Sequence, residues 1–302
     1  VQSYFFPRRD RSKSVPLKAD KMSIKTCFLL IYSLCFTQIN SLEHDELSNR
    51  PKRISEQECD RFVRLAAKNS NGLCENSGFP HTVSLIDQGG DLVCSGFLVN
   101  ENHIVTAGRC VSGSIPVKVQ FDASTHDVSN FTRHPKYSRS TFQTDLAIVK
   151  LKTFVPLSST MIPACLASNL TENLYDILVQ SGFGAVKDNF KYPRTFIQSD
   201  DNQVIATEDC DRIANHNKIH KTSLIRNQLC MIYDNKLGTT DIGASGGPLQ
   251  SVNSRTCMYT AMGVLSAGIS DIKSNPLNIT HIDLYSRITY HLDWIEQVVW
   301  NV

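Results

Sequence analysis

The stretch "CSGFLVNENHIVTAGRC", Cys94 to Cys110, sets two short runs of strand-forming residues on either side of the polar triplet Asn100–Asn102. The first run extends upstream as "VCSGFLV" and the second reads "HIVTA"; each is too short for a helix and rich in β-branched and aromatic residues, the signature of strands joined by a tight connection. The same texture recurs outward in both directions, in "HTVSLI", "VKVQF", "LAIVKL", "LVQSGFG" and "YTAMGVLSAG". Short strands at this spacing predict an all-β sandwich or barrel. Helical spacing enters in three places: weakly through Phe62, Leu65 and Ala66, around "TEDCDRIANHN", and at the end, where Ile288, Leu292, Ile295 and Val299 recur along "RITYHLDWIEQVVW".

The N-terminal quarter has a different character. Met22 is followed by the basic Lys25 and the apolar run "TCFLLIYSLCFTQINS", shorter than the ~20 residues of a membrane span. Lys21 and Lys25, the apolar segment and the small polar residues near Ser41 read as a secretory signal over 22–41, and 1–21 as an upstream segment outside the mature protein. Polar residues 42–78 read as an N-terminal extension and 79–302 as the folded domain, long enough for a substantial core. A formal charge of +2 points to neither nucleic acid nor a membrane surface as partner.

Removal of the signal takes Cys27 and Cys35 and leaves Cys59, Cys74, Cys94, Cys110, Cys165, Cys210, Cys230 and Cys257, an even set that a secreted chain would pair as disulfides. No CxxC pairing supports a zinc site, so neither metal nor cofactor is expected. The triplets "NFT" at Asn130, "NLT" at Asn169 and "NIT" at Asn278 are acceptor sites for N-glycans in a secreted protein.

Taken in order, "CSGFLVNENHIVTAGRC", "TDLAIVKL", "SGFG", "GASGGPL", "GVLSAG" and "YHLDWI" resemble the trypsin-like serine proteases from Phe79 to Trp300. The resemblance implies two packed six-stranded antiparallel β-barrels with a cleft between them and a C-terminal helix. It implies bridges Cys94–Cys110 and Cys210–Cys230, and it gives Cys165 a partner in the N-terminal segment, Cys59 or Cys74. The pairing of Cys59, Cys74, Cys165 and Cys257 stays open.

The catalysis of that family needs a serine nucleophile, a histidine that accepts and returns its proton, and an aspartate that orients the ring. Motif by motif, the resemblance assigns the serine to Ser245, the aspartate to Asp145 and the histidine position to Arg109. A guanidinium stays protonated and offers only donors, so it is no general base. His103, the nearest histidine in sequence, sits on the strand leading to Arg109 and does not substitute; His81 and His134 read as surface or structural residues. The oxyanion hole falls at Gly243 and Ser245, and the aspartate that pairs with a freshly cleaved N-terminus is Ala244.

The cysteine four residues before the serine is Asp241, the base of the specificity pocket is Thr239, and the pocket wall is Ser266, Ala267 and Gly268. The expectation is a secreted, non-catalytic homologue that acts as a binding or regulatory cofactor in extracellular proteolytic or immune cascades. Its partners would be extracellular proteins, such as cascade proteases or their substrates. An active serine endopeptidase and a carbohydrate- or microbial-surface-binding module are the alternative readings.

Overall fold

The computed structural model describes residues 50–66, 78–122, 124–169, 178–184, 195–205, 209–212, 227–232, 244–269 and 282–302, with backbone alone for 195–205 and 269. Within the unit Lys52–Val302, six strands close a first barrel: β1 (Thr82–Ile86), β2 (Leu92–Asn100), β3 (His103–Thr106), β4 (Lys118–Gln120), β5 (Thr125–Arg133) and β6 (Ala147–Leu151), in the order β1-β2-β3-β6-β5-β4. The two runs that flank Asn100–Asn102 are β2 and β3, paired antiparallel with Phe97 opposite Val105.

A second sheet takes β7 (Cys165–Leu166), β8 (Leu178–Gly184), β9 (Thr195–Ile205), β10 (Gln228–Ile232), β11 (Pro248–Asn253), β12 (Met258–Ile269) and β13 (Ile282–Arg287). Its order is β11-β8-β9-β10-β13-β12-β7, and β11 also pairs with β12, so six antiparallel strands return on themselves and only the two-residue β7 lies outside, parallel to β12. Among the described residues, closing both sheets leaves no long open edge to template aggregation.

Strands β5, β9, β11 and β13 do not stand out as apolar runs. β5, "THDVSNFTR", is half-buried at best, and its conformation is fixed by ladders to β4 and β6 rather than by its own side chains. The apolar positions of the other first-barrel strands, among them Val83, Leu85, Phe97, Ile104, Val119, Ile148 and Val149, fill one core. Ile288, Leu292, Ile295 and Val299 of the C-terminal helix α2 (Ile288–Trp300) pack into the same core, as their spacing predicts. A second core gathers Leu178, Leu229, Met231, Leu249, Leu265 and Tyr285. The helical reading of "TEDCDRIANHN" falls mostly outside the described residues, with one helical turn at 209–212.

Helix α1 (Ile54–Leu65) belongs to the same compact unit as the barrels. Phe62 is 1% exposed among Ile162, Cys165 and Met258. Arg53 pairs with Glu296 of α2 at 2.7 Å and with Asp293, the Ser55 hydroxyl donates to Glu296 at 2.6 Å, and Arg61 reaches Glu101 at 2.7 Å. Cys59 is bonded to Cys165 on β7. Cys94–Cys110 and Cys210–Cys230 are disulfides as well, and Cys257 is disulfide-bonded.

The barrels meet through buried polar groups. His81 is 1% exposed and its Nε2 lies 2.6 Å from Oε1 of Gln250 on β11; Gln250 Nε2 donates to the Ser181 hydroxyl, which lies 2.8 Å from that of Thr82. Burial pushes the His81 ring down to about 4, against a smaller upward pull from Gln250. Because that is below the ~6.5 of a free histidine, the unfolded chain takes up the proton first, and stability is lost as pH falls from about 6.5 toward 4. Between pH 6.5 and 5, above the carboxylate range, His81 alone should cost about 2 kcal/mol. Thermal melts across that window should fall steadily, and less steeply in His81→Gln, where His103 and His291, whose rings burial also lowers to about 4, still contribute; an unchanged slope in the variant would remove His81 from the account.

Candidate active site

Strand β3 runs into a single 3-10 turn, Gly108–Val111, that presents Arg109, and the Cys94–Cys110 disulfide ties this turn to β2. The head of the turn packs closely, and a Cβ on Gly108 would meet the Leu146 backbone at 3.1 Å. That close approach brings the turn beside Asp145, which stands immediately before Leu146 and β6.

Asp145 is wholly buried. Its Oδ1 accepts from the Arg109 backbone N–H at 2.8 Å, and its Oδ2 accepts from Arg109 Nε at 2.7 Å and from the Ser266 hydroxyl at 2.7 Å. Arg109 Nη2 in turn donates to the Ser266 oxygen at 3.2 Å, closing a triangle of charge-assisted and neutral hydrogen bonds. The Ser286 hydroxyl donates to the Asp145 carbonyl at 3.1 Å, so β12 and β13 both fasten this first-barrel residue. The outer face of the guanidinium lies over Phe142, 4.6 Å from the ring centre, and the arginine side chain keeps 26% exposure. Such a contact favours a retained cation.

Ser245 is delivered by the other barrel, in the turn before β11. Its carbonyl accepts from Ser95 N–H of β2 at 2.8 Å, and the next N–H, of Gly246, donates to Leu265 of β12 at 2.8 Å. Gly246 has φ +88°, and a Cβ there would lie 2.2 Å from Thr106 Oγ1 and 2.3 Å from the Ser95 carbonyl. The turn is therefore wedged between β2, β3 and β12 at a place where only glycine fits. Half-buried Ser245 and Arg109 line one cleft of about 550 Å³, together with Asp87, Asp91, Ser114 and Arg139.

Among the sequence-assigned positions, the fold brings together Arg109, Asp145, Ser245 and Ser266. Gly243, Thr239 and Asp241 lie outside the described residues. Ala244 is 1% exposed and packs with Leu178, Leu249, Leu265 and Tyr285, where a methyl suits an apolar cluster and a carboxylate would need a countercharge. Along β12, Ser266 is buried, Ala267 half-buried and Gly268 exposed. Opposite Gly268, on β13, stands the wholly buried Asp283, which the sequence reading passed over; its signal was one acidic residue between Ile282 and Leu284.

The rings of His103 and His134 are engaged by other partners. His103 Nδ1 lies 3.0 Å from Asn100 Oδ1, and burial, assisted by Lys150, lowers its ring to about 4. His134 is 8% exposed, stacked edge-on to His291 and tilted against Trp294, with Nδ1 accepting from the Lys136 N–H at 3.1 Å. Among the described residues no cluster of three or more His, Cys, Asp or Glu could hold a metal ion. No described helix is long and apolar enough to cross a membrane. The acceptor asparagines Asn130 and Asn169 are exposed, and Asn278 lies outside the described residues.

Comparison with known proteins matches the family model described as Trypsin to residues 71–295. Trypsin II-P29 of Gallus gallus is 24% identical over 75% of this chain and 86% of its own length. Serine protease snk of Drosophila melanogaster is 27% identical over 74% of this chain, and vitamin K-dependent protein C of Mus musculus 26% identical over 76%; the alignments take in 54% and 51% of those longer proteins.

Proposed function

The chain belongs to the trypsin family, and from that premise we propose that it is a secreted member without peptidase activity, whose cleft and surface serve as a binding or regulatory scaffold for extracellular proteins. The observation that carries this reading is the Arg109–Asp145–Ser266 triangle. The aspartate that would orient a proton-accepting ring instead neutralises a guanidinium, and a guanidinium cannot take the Ser245 proton.

Ala244 supports the same reading, because a buried methyl offers no partner to a newly cleaved N-terminal amine. A cascade cofactor role, in proteolysis or immunity, rests on analogy with other inactive relatives, since the fold by itself fixes no activity. In this proposal 22–41 is the secretory signal, 42–78 the extension and 79–302 the domain, with Ser245 and Asp145 as remnants of the triad and Gly243 and Thr239 at the positions of the oxyanion hole and pocket base.

Hydrolysis assays test it. In a subtilisin-type triad, loss of the histidine alone costs about 10⁶-fold in kcat. Turnover of peptide amides and of activated esters by the secreted protein should equal that of Ser245→Ala. Turnover that Ser245→Ala abolishes would instead establish the endopeptidase reading.

A further inference from the structure

One side of the first barrel carries an apolar groove that the cleft chemistry does not use. It measures about 340 Å³, near the lower end of the range of ligand sites. Its floor includes Ile115, Val117 and Phe131, which are 50%, 37% and 36% exposed and are three of the few large apolar side chains left open to solvent among the described residues. Lys118, Lys152 and Asp127 rim it, with Lys152 Nζ 3.4 Å from Asp127 Oδ2. Clustered apolar exposure with a polar rim marks a surface that is covered in use.

The groove's own lining holds the means of covering it. Asn130 lines the groove beside Phe131, is exposed on β5, and begins the acceptor triplet Asn130-Phe131-Thr132. We infer that an N-linked glycan on Asn130 lies down on this groove, its first sugar rings packed over Ile115, Val117 and Phe131. The C–H face of a pyranose ring suits an aromatic or aliphatic floor, while the ammonium groups of Lys118 and Lys152 and the carboxylate of Asp127 offer donors and acceptors to its hydroxyls. Asn169 provides an internal contrast. It lines a different groove, whose rim of Lys52, Glu56, Asp60 and Ser168 contains no large exposed apolar side chain.

The inference rests on the secreted reading above. Its test uses the full-length protein from a glycosylating secretory host, with glycopeptide mass spectrometry for occupancy and anilinonaphthalene sulfonate as the apolar probe. Asn130 should be occupied. The dye should stay dark with the native protein and with protein trimmed by endoglycosidase to the single asparagine-linked sugar. It should brighten about two-fold or more in Asn130→Gln and in Thr132→Ala, which lose the glycan by different changes, and not in Asn169→Gln. Phe131→Ser added to Asn130→Gln should dim it again.

An unoccupied Asn130 in secreted protein, or equal dye binding by the trimmed protein and Asn130→Gln, would overturn the inference and leave the secreted reading standing. Glycosylated protein that sediments as a dimer through this face would give the groove to a second copy of the chain and overturn it too. A chain retained in the cell without any glycan would overturn both readings.

Discussion

Replacing Arg109 by alanine should destabilise the fold by about 3 kcal/mol, the lower end of what breaking a buried ion pair costs, since the guanidinium keeps some contact with water. For a domain of this size the melting temperature should drop by roughly 6–12 °C. The cost arises at the partner: Asp145 is wholly buried and would retain hydrogen bonds from the residue 109 backbone and from Ser266 while losing its only close countercharge among the described residues.

Two comparisons separate this from lost packing on Phe142. In an Asp145→Asn background the same Arg109→Ala change should cost much less, because the uncompensated charge is gone. Arg109→His should cost less than Arg109→Ala, because an imidazole N–H can still donate to the carboxylate. Denaturant unfolding of the four variants closes the cycle; equal costs of Arg109→Ala in both backgrounds would mean that charge compensation is not what the arginine supplies.

Removing the Cys59–Cys165 bridge should have the other large effect. The bond spans 106 residues of sequence. Chain-entropy reasoning gives about 4–5 kcal/mol for a loop of that size, and native-state relaxation usually returns less, so about 3 kcal/mol is expected for Cys59→Ser/Cys165→Ser. The loss should be felt first in α1. Without the bond that helix is held by Phe62, by Arg53 and Ser55 on Glu296, and by Arg61 on Glu101, a small apolar contact and several part-exposed ion pairs worth little individually. Amide hydrogen exchange should show 54–65 opening well before the barrels in the double variant. Unchanged protection of α1 would mean that packing alone fixes the helix.

The contrast between what was legible and what was not follows from where the side chains point. Strands such as β2 and β6 bury a dense apolar set, so "CSGFLV" and "LAIVKL" announce themselves. β5 shows nine residues of mostly exposed side chain and becomes a strand because β4 and β6 hold its backbone on both sides, a long-range cause that leaves no local trace. α1 appears only faintly, as Phe62 and Leu65, because one aromatic and one disulfide bury it.

At the site, the resemblance grouped Arg109, Asp145 and Ser245 as the triad positions and assigned Ser266 to the pocket wall. Sequence could not say that Ser266 would both donate to the aspartate and accept from the arginine, since that depends on β12 passing over the 3-10 turn. Nor could it choose between Cys59 and Cys74 as the partner of Cys165; the choice follows from α1 lying against β7. Asp283 was missed because a lone acidic residue in a strand ordinarily faces water, and here the closed second sheet turns it inward.

The central claim is that Ser245 has no base, and it is tested most directly by labelling with a fluorophosphonate probe, which reacts with an activated serine regardless of substrate preference. Protein expressed through a glycosylating secretory host should label no more than its Ser245→Ala variant, with circular dichroism showing both folded. Stoichiometric labelling that Ser245→Ala abolishes would contradict the account, because it would require a proton acceptor beside Ser245 that the Arg109–Asp145–Ser266 triangle does not provide.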